Sequence, residues 1–132
     1  MKDIMVKIFM TGALVFGVKA QAHHSFAAMY QAEATVEIEG DVIQFAFRNP
    51  HSFMHVMAPD ENGELTRWNV EWGAASLLSS TGMQPDSLKR GDRVVIMGNP
   101  GRNPDDHRIR LRTLVRPDDG FGWGTGAGET FD

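Results

Sequence analysis

Between residues 34 and 116 apolar and polar side chains alternate with a period of two, interrupted by clusters of Gly, Pro, Asn and Asp. That is the pattern of short, half-buried strands separated by turns. Ala34 to Arg48 reads as one long strand, with Val36 and Ile38 on one side and Glu37 and Glu39 on the other. Its apolar phase changes after Gly40 to Ile43, Phe45 and Phe47, so a bulge or sharp bend is expected at that glycine. Asn49-Pro50 ends it. Ser52 to Ala58 is a second strand, and the Pro59–Gly63 turn leads into a third over Glu64 to Trp72, with Trp68, Val70 and Trp72 inward. Ala74 to Ser80 suits a short helix that stops near Gly82. Arg93 to Gly98 is a fourth strand with a near-continuous apolar run. After the Asn99–Asp106 loop, His107 to Arg116 is a fifth, with Ile109, Leu111 and Val115 inward and Arg108, Arg110 and Arg112 outward.

A long bent strand, a hairpin, a short helix and two final strands follow the element order of an OB-like five-stranded Greek-key barrel. The fold class expected is therefore all-β with one short helix. Phe26 to Gln31 is a short apolar lead-in. Residues 118–132 carry glycine at every second position from Gly120 to Gly128, which predicts a flexible tail, with docking of Phe121 and Trp123 on the barrel or a partner as the lesser alternative.

The N-terminus changes the picture. Met1 to Lys7 carries two lysines, Ile8 to Val18 is uncharged and largely apolar, and Ala20-Gln21-Ala22 puts small residues at −3 and −1. This is the three-part pattern of a secretory signal. Its apolar run is too short for a membrane span, which takes about 20 residues. The reading is thus a signal over 1–22, a barrel over 23–117 and a tail over 118–132, in a periplasmic or secreted protein with no membrane span in its mature form. Cleavage after Ala22 removes Lys2, Lys7, Lys19 and Asp3, leaving 10 basic and 16 acidic side chains. An acidic domain gains nothing from phosphate electrostatics, so nucleic acid is not an expected partner. With no cysteine, a metal site must use nitrogen, oxygen or thioether ligands.

Cleavage there exposes His23 as the first residue, followed by His24. An N-terminal histidine chelates through its amine and its own ring, and a third nitrogen from elsewhere completes a "histidine brace", an arrangement that suits Cu(II). Zinc and nickel also accept imidazole. The candidate metal residues are His23, His24, His51 and His55. Strand alternation puts His51, Phe53, His55 and Met57 on one side, with His51 and His55 about 13 Å apart, too far to share one ion easily. His51, just after Pro50, is preferred. Met57 or Met54 offers a thioether. Glu71 and Asn69 are candidates to orient a histidine, although most such strand residues are simply solvated. Phe53, Met57, Arg67 and Glu71 form a weaker ligand-binding set. Arg102, Arg108, Arg110, Arg112 and Arg116 make a basic stripe, read mainly as a solvated face, with a bound carboxylate or phosphate as the alternative. An earlier cut after Ala20 would instead place His23 third, creating an amino-terminal Cu(II)/Ni(II) site. No Ser-His-Asp arrangement, phosphate loop or paired carboxylate stands out, so an enzyme is not expected.

His23-His24-Ser25-Phe26-Ala27-Ala28-Met29-Tyr30, Asn49-Pro50-His51-Ser52, Trp68-Asn69-Val70-Glu71 and Leu88-Lys89-Arg90-Gly91-Asp92 together resemble a family of small exported proteobacterial proteins known only as a domain of unknown function. The resemblance spans nearly the whole mature region. It implies a Gram-negative, exported, non-enzymatic protein and supplies no established activity. In that pattern His55 and His107 are not guaranteed, which leaves His23, His24 and His51 as the leading site candidates. The expected function is copper carriage or buffering, with the metal ion and a periplasmic protein as partners. The alternative is a non-metal ligand- or protein-binding module in which the histidines are structural.

Overall fold

A computed structural model describes residues 26–124. The proposed signal, His23, His24 and residues 125–132 lie outside them. The strands are β1 (Val36–Ala46), β2 (Phe53–Pro59), β3 (Leu65–Glu71), β4 (Arg93–Pro100), β5 (Arg108–Arg116) and β6 (Phe121–Trp123), with helix α1 (Ala75–Ser80) between β3 and β4. The order β3-β2-β1-β4-β5-β6, with an additional parallel pairing of β3 to β5, closes the first five strands into a barrel. With the helix between β3 and β4, this is the OB-like topology.

Alternation on β2 is strict: Met54, Val56 and Ala58 are fully buried while Phe53, His55 and Met57 stand on the outer face. Met54 is therefore a core residue and not a candidate thioether ligand. The β4 run also alternates, with Val94 and Ile96 inside and Met97 exposed, because only one side of that strand meets the core.

The phase change in β1 lies later than Gly40. Ile38, Gly40 and Val42 all point inward, and the pairing with β2 slips between Val42 and Gln44. Gly40 has a different cause: a Cβ there would lie 2.0 Å from the Met57 carbonyl oxygen, so only glycine permits this approach of β1 and β2. At the bulge, the Val42 N–H donates to Asp92 O (2.9 Å) and the Val42 carbonyl accepts from Gly91 N (2.8 Å). The Lys89–Asp92 turn thus satisfies backbone groups released from the ladder. A second slip, opposite Met97 and Gly98 on β4, makes Leu114 the inward residue of β5 in place of Val115.

Leu78 of α1 joins the barrel core together with Trp72, Met54, Ile96 and Ile109. The flexible-tail expectation is corrected over 121–123. Those residues pair with Leu114–Arg116, and Trp123, 2% exposed, packs edge-on against Trp72 at 5.2 Å. Burying a large indole outweighs the conformational freedom of its glycine neighbours. Val36, Ile38, Trp68 and His107 help line an open cleft of about 520 Å³.

Candidate functional site

The only acidic side chain buried in the described residues is Glu71, 8% exposed at the end of β3. It sits on the outer face, which strand alternation alone would leave wet. The lead-in segment covers it. A helical turn over 26–29 precedes Tyr30, which is 1% exposed and bridges to Gly101. The segment is fastened along the β4–β5 loop by Gln31 N to Pro100 O (2.9 Å) and Arg102 N to Met29 O (2.9 Å). Buried Asn99 donates to the carbonyls of Ala32 (3.1 Å) and Ala34 (2.8 Å) and accepts from Arg112 Nε (2.8 Å).

Three groups converge on Glu71. The Tyr30 hydroxyl donates to Oε2. His51 Nδ1 lies 3.1 Å from Oε1, and Arg108 approaches Oε2 at 3.8 Å. Burial, followed by the Glu71 hydrogen bond and charge, pushes the Tyr30 phenol far above its ordinary range, so it stays a donor. Arg108 also lies over the Tyr30 ring at 5.9 Å, and Arg110, the register neighbour of Glu71 on β5, lies over Phe26 at 4.8 Å. Phe26 stacks on Tyr30 at 5.6 Å. Arg102 Nε donates to the Ala27 carbonyl. Much of the basic stripe, read from the sequence as a solvated face, is thus a clamp on the lead-in segment.

His51 is presented by a compact turn. Ser52 Oγ closes it against both the N–H and the carbonyl of Arg48 (3.2 Å each), and Asn49 Oδ1 accepts from Ser76 N at 3.1 Å. The imidazole side chain is 45% exposed, and no hydrogen bond from the described residues engages its Nε2. A carboxylate beside Nδ1 selects the tautomer with the proton on Nδ1 and leaves the Nε2 lone pair facing outward. A carboxylate beside a histidine in this way occurs both in metal sites and in purely structural contacts. Among the described residues, no three His, Cys, Asp or Glu side chains come together as a metal site, so further ligands would have to come from elsewhere in the chain.

The other candidates separate from this cluster. His55 is the register partner of Asn69 and Gln44, four residues along β2, and burial followed by the Arg67 charge lowers its pKa. Asn69 pairs in register with His55 and Arg108. Of the two residues expected to orient a histidine, only Glu71 lies beside His51. Phe53 is beside Glu71 in register and lies under Arg48 at 5.2 Å. Met57 and Arg67 face each other farther down the sheet. His107, in a left-handed conformation (φ 44°), packs on Trp68 at 5.2 Å. Tyr30 entered the sequence reading only at the end of the His23–Tyr30 motif, with no role assigned, and the arginines only as a stripe. The signal for Tyr30 was the i, i+4 spacing of two aromatics, Phe26 and Tyr30, in a short lead-in.

No curated protein matches the chain. Among solved structures, a small single-stranded DNA-binding protein from Streptomyces coelicolor is similar over 65% of this chain and 93% of its own, at 16% identity and a TM-score of 0.40. The sequence model of DUF6152, a family of unknown function, matches residues 12–110, and the chain belongs to that family.

Proposed function

We propose that this is an exported copper-binding protein in which His51 Nε2 joins the amine and ring of an N-terminal His23, with His24 adjacent. The observation that carries the reading is the 3.1 Å contact between His51 Nδ1 and a buried carboxylate, which orients the other ring nitrogen outward. The seat of Phe26 supplies the second support. It lies over Arg110, directly beside Glu71 in register, and three residues of chain reach about 10 Å. The reading requires His23 to reach His51 from that seat. Nitrogen donors in this set favour Cu(II), and zinc or nickel would bind more weakly or in another geometry. Bound copper would supply affinity for a further exchangeable ligand, in keeping with carriage or buffering of the ion and its delivery to a periplasmic partner protein.

The test combines the intact mass of the exported protein with Cu(II) titration followed by EPR. The expected result is a chain starting at His23 with one tight, axial, nitrogen-rich signal that disappears in His51→Ala. Weak copper binding by a chain that starts at His23, or binding indifferent to His51, overturns the reading. A second reading, a non-metal binding module on the outer β2–β3 face near Phe53 and Arg67, draws support from two buried polar atoms. Asn69 Oδ1 and Arg108 Nε are register neighbours without hydrogen-bond partners among the described residues. Copper-independent binding of a small polar ligand, lost in Asn69→Ala, would favour that version.

A further inference from the structure

The open cleft of about 520 Å³ is a separate place from the His51 cluster, since neither His51 nor Glu71 lines it. Its apolar wall is made by Val36 and Ile38 of β1, Pro59 at the end of β2, Trp68 of β3 and Pro100 at the end of β4. The Trp68 ring is braced edge-on by His107, at 5.2 Å between centroids and 83° between planes. His107 is itself fixed by its left-handed backbone and by its carbonyl, which accepts from Asn69 N at 2.9 Å. The indole nitrogen of Trp68 is shielded from solvent yet has no acceptor among the described residues. Two turns add charge to this wall. Asp60 closes the β2–β3 turn by accepting from Asn62 N (2.8 Å) and Glu64 N (2.9 Å), which leaves Glu61 exposed at its tip. Asn103 Oδ1 accepts from Asp105 N (3.2 Å) and so fixes the backbone that carries Asp105. Among the described residues no ion pair or hydrogen bond engages the carboxylates of Glu37, Glu61 and Asp105, whereas Glu39 and Asp41 on β1 are tied to Arg93. The one arginine of the lining, Arg108, is drawn toward Glu71 (3.8 Å) and the Tyr30 ring (5.9 Å).

We propose that this cleft binds a small organic ammonium ion with an apolar body, attracted by Glu37, Glu61 and Asp105 and seated against Trp68. An anion would be repelled by the rim, and a neutral molecule would gain nothing from it. A cation gains from the unpaired carboxylates and from the negative face of an indole, the side chain best suited to that contact. A hydroxyl on the same ligand would offer the acceptor that the Trp68 N–H lacks. Because Glu61 and Asp105 are exposed, their share of the attraction is screened by salt. The site uses described residues only and stands independently of the copper reading and of the outer β2–β3 face.

The experiment is a titration of the metal-free mature chain with choline, followed by nitrogen–proton NMR of the indole groups. The neutral isostere 3,3-dimethylbutan-1-ol, which has the same shape and hydroxyl but no charge, is titrated in parallel. The three tryptophans give three indole signals, and Trp72 and Trp123 lie in the core, so Trp68 alone should move. Choline should shift that signal saturably, more weakly as salt is raised, and the isostere should bind at least about 3-fold less tightly. Trp68→Leu should weaken choline binding about 3- to 30-fold, read from the ligand's own resonances. The double variant Glu61→Gln/Asp105→Asn changes only exposed side chains and keeps the question open if Trp68→Leu does not fold. It should weaken choline binding about 2- to 5-fold at low salt, whereas Asp86→Asn, exposed and outside the cleft, should leave it unchanged. Equal affinity for choline and its isostere overturns the cationic assignment, as does an unaltered affinity in the double variant. No saturable shift of the Trp68 signal, or shifts confined to another surface, overturns the site. His51→Ala should bind choline as wild type does, and a loss there would equally count against a separate site.

Discussion

Replacing Glu71 by glutamine keeps the shape of the side chain and removes its charge, so its effect isolates what the carboxylate does. A glutamine offers one carbonyl oxygen and one NH2 group. Of the two groups that meet Glu71, the Tyr30 hydroxyl and His51 Nδ1, one must then accept from the amide NH2, so either the hydroxyl loses its charged acceptor or the His51 proton moves to Nε2. A hydrogen bond to a charged group is worth about 1.5–3 kcal/mol against about 0.5–1.5 for a neutral pair. The Arg108 contact, long at 3.8 Å and with a side chain 26% exposed, adds well under about 1 kcal/mol. The folded state should therefore lose about 2 kcal/mol. For a domain near 100 residues that lowers the thermal midpoint by roughly 8–16 °C. At the same time the preference for the Nδ1-protonated tautomer of His51 disappears, and copper affinity should fall about 10- to 100-fold. Differential scanning calorimetry of the metal-free mature chain reads the first effect, and competitive Cu(II) titration reads the second. A midpoint that falls as predicted while copper affinity stays unchanged would make Glu71 a purely structural residue and refute the tautomer argument. A midpoint within 2 °C of wild type would refute the burial argument as well.

Three further outcomes follow from the fold. Trp123→Ala should cost about 3 kcal/mol, read as the urea midpoint by circular dichroism, whereas Leu65→Ala, on an exposed strand position, should change almost nothing. Gly40→Ala should cost at least about 3 kcal/mol or abolish cooperative folding, because its methyl group would collide with the Met57 carbonyl oxygen; thermal melting or solubility on expression reads this. Folding stability should fall as pH drops from 7 toward 5, in part through His55. Its folded-state pKa lies below its unfolded value, so the unfolded chain binds the extra proton and the contribution present above the unfolded pKa is lost on acidification. In His55→Asn the pH dependence of the melting midpoint should be shallower over that window, and an unchanged slope would count against the burial and Arg67 contributions.

The barrel was legible in the sequence because five strands and one helix each carry their own local signature. Period-two alternation, Asn49-Pro50, the Pro59–Gly63 turn and the Lys89–Asp92 turn all report on near neighbours in the chain. What was misplaced depends on distant partners. The β1 bulge was assigned to Gly40 because glycine is a local cue, yet its position is set by where the turn at residues 89–92 meets Val42. Leu114 replaces Val115 because β5 slips against β4. The residues at 121–123 looked loose from their glycines, and only the proximity of Trp72 explains their order. The site was half visible for the same reason. His51 and Glu71 could be picked out by residue type and strand face, but their contact joins two strands. The clamp required knowing that the segment carrying Phe26 and Tyr30 crosses outside β5, a fact no local pattern contains.

The parallel seam between β3 and β5 has a bearing on the order of assembly. Hairpin pairs such as β2–β3 close over a few residues, whereas Asn69 meets Arg108 only after the intervening helix, β4 and their turns are in place. Tyr30, His51, Glu71 and Arg108 come from four separate parts of the chain, so a partly synthesised or partly translocated polypeptide contains His51 and Glu71 but has no seat for Tyr30. The cluster comes into being with closure of the barrel. An ion held partly through the cluster would bind the folded chain more tightly than the unfolded one, whose N-terminal histidine still chelates, and would stabilise the folded state by that difference.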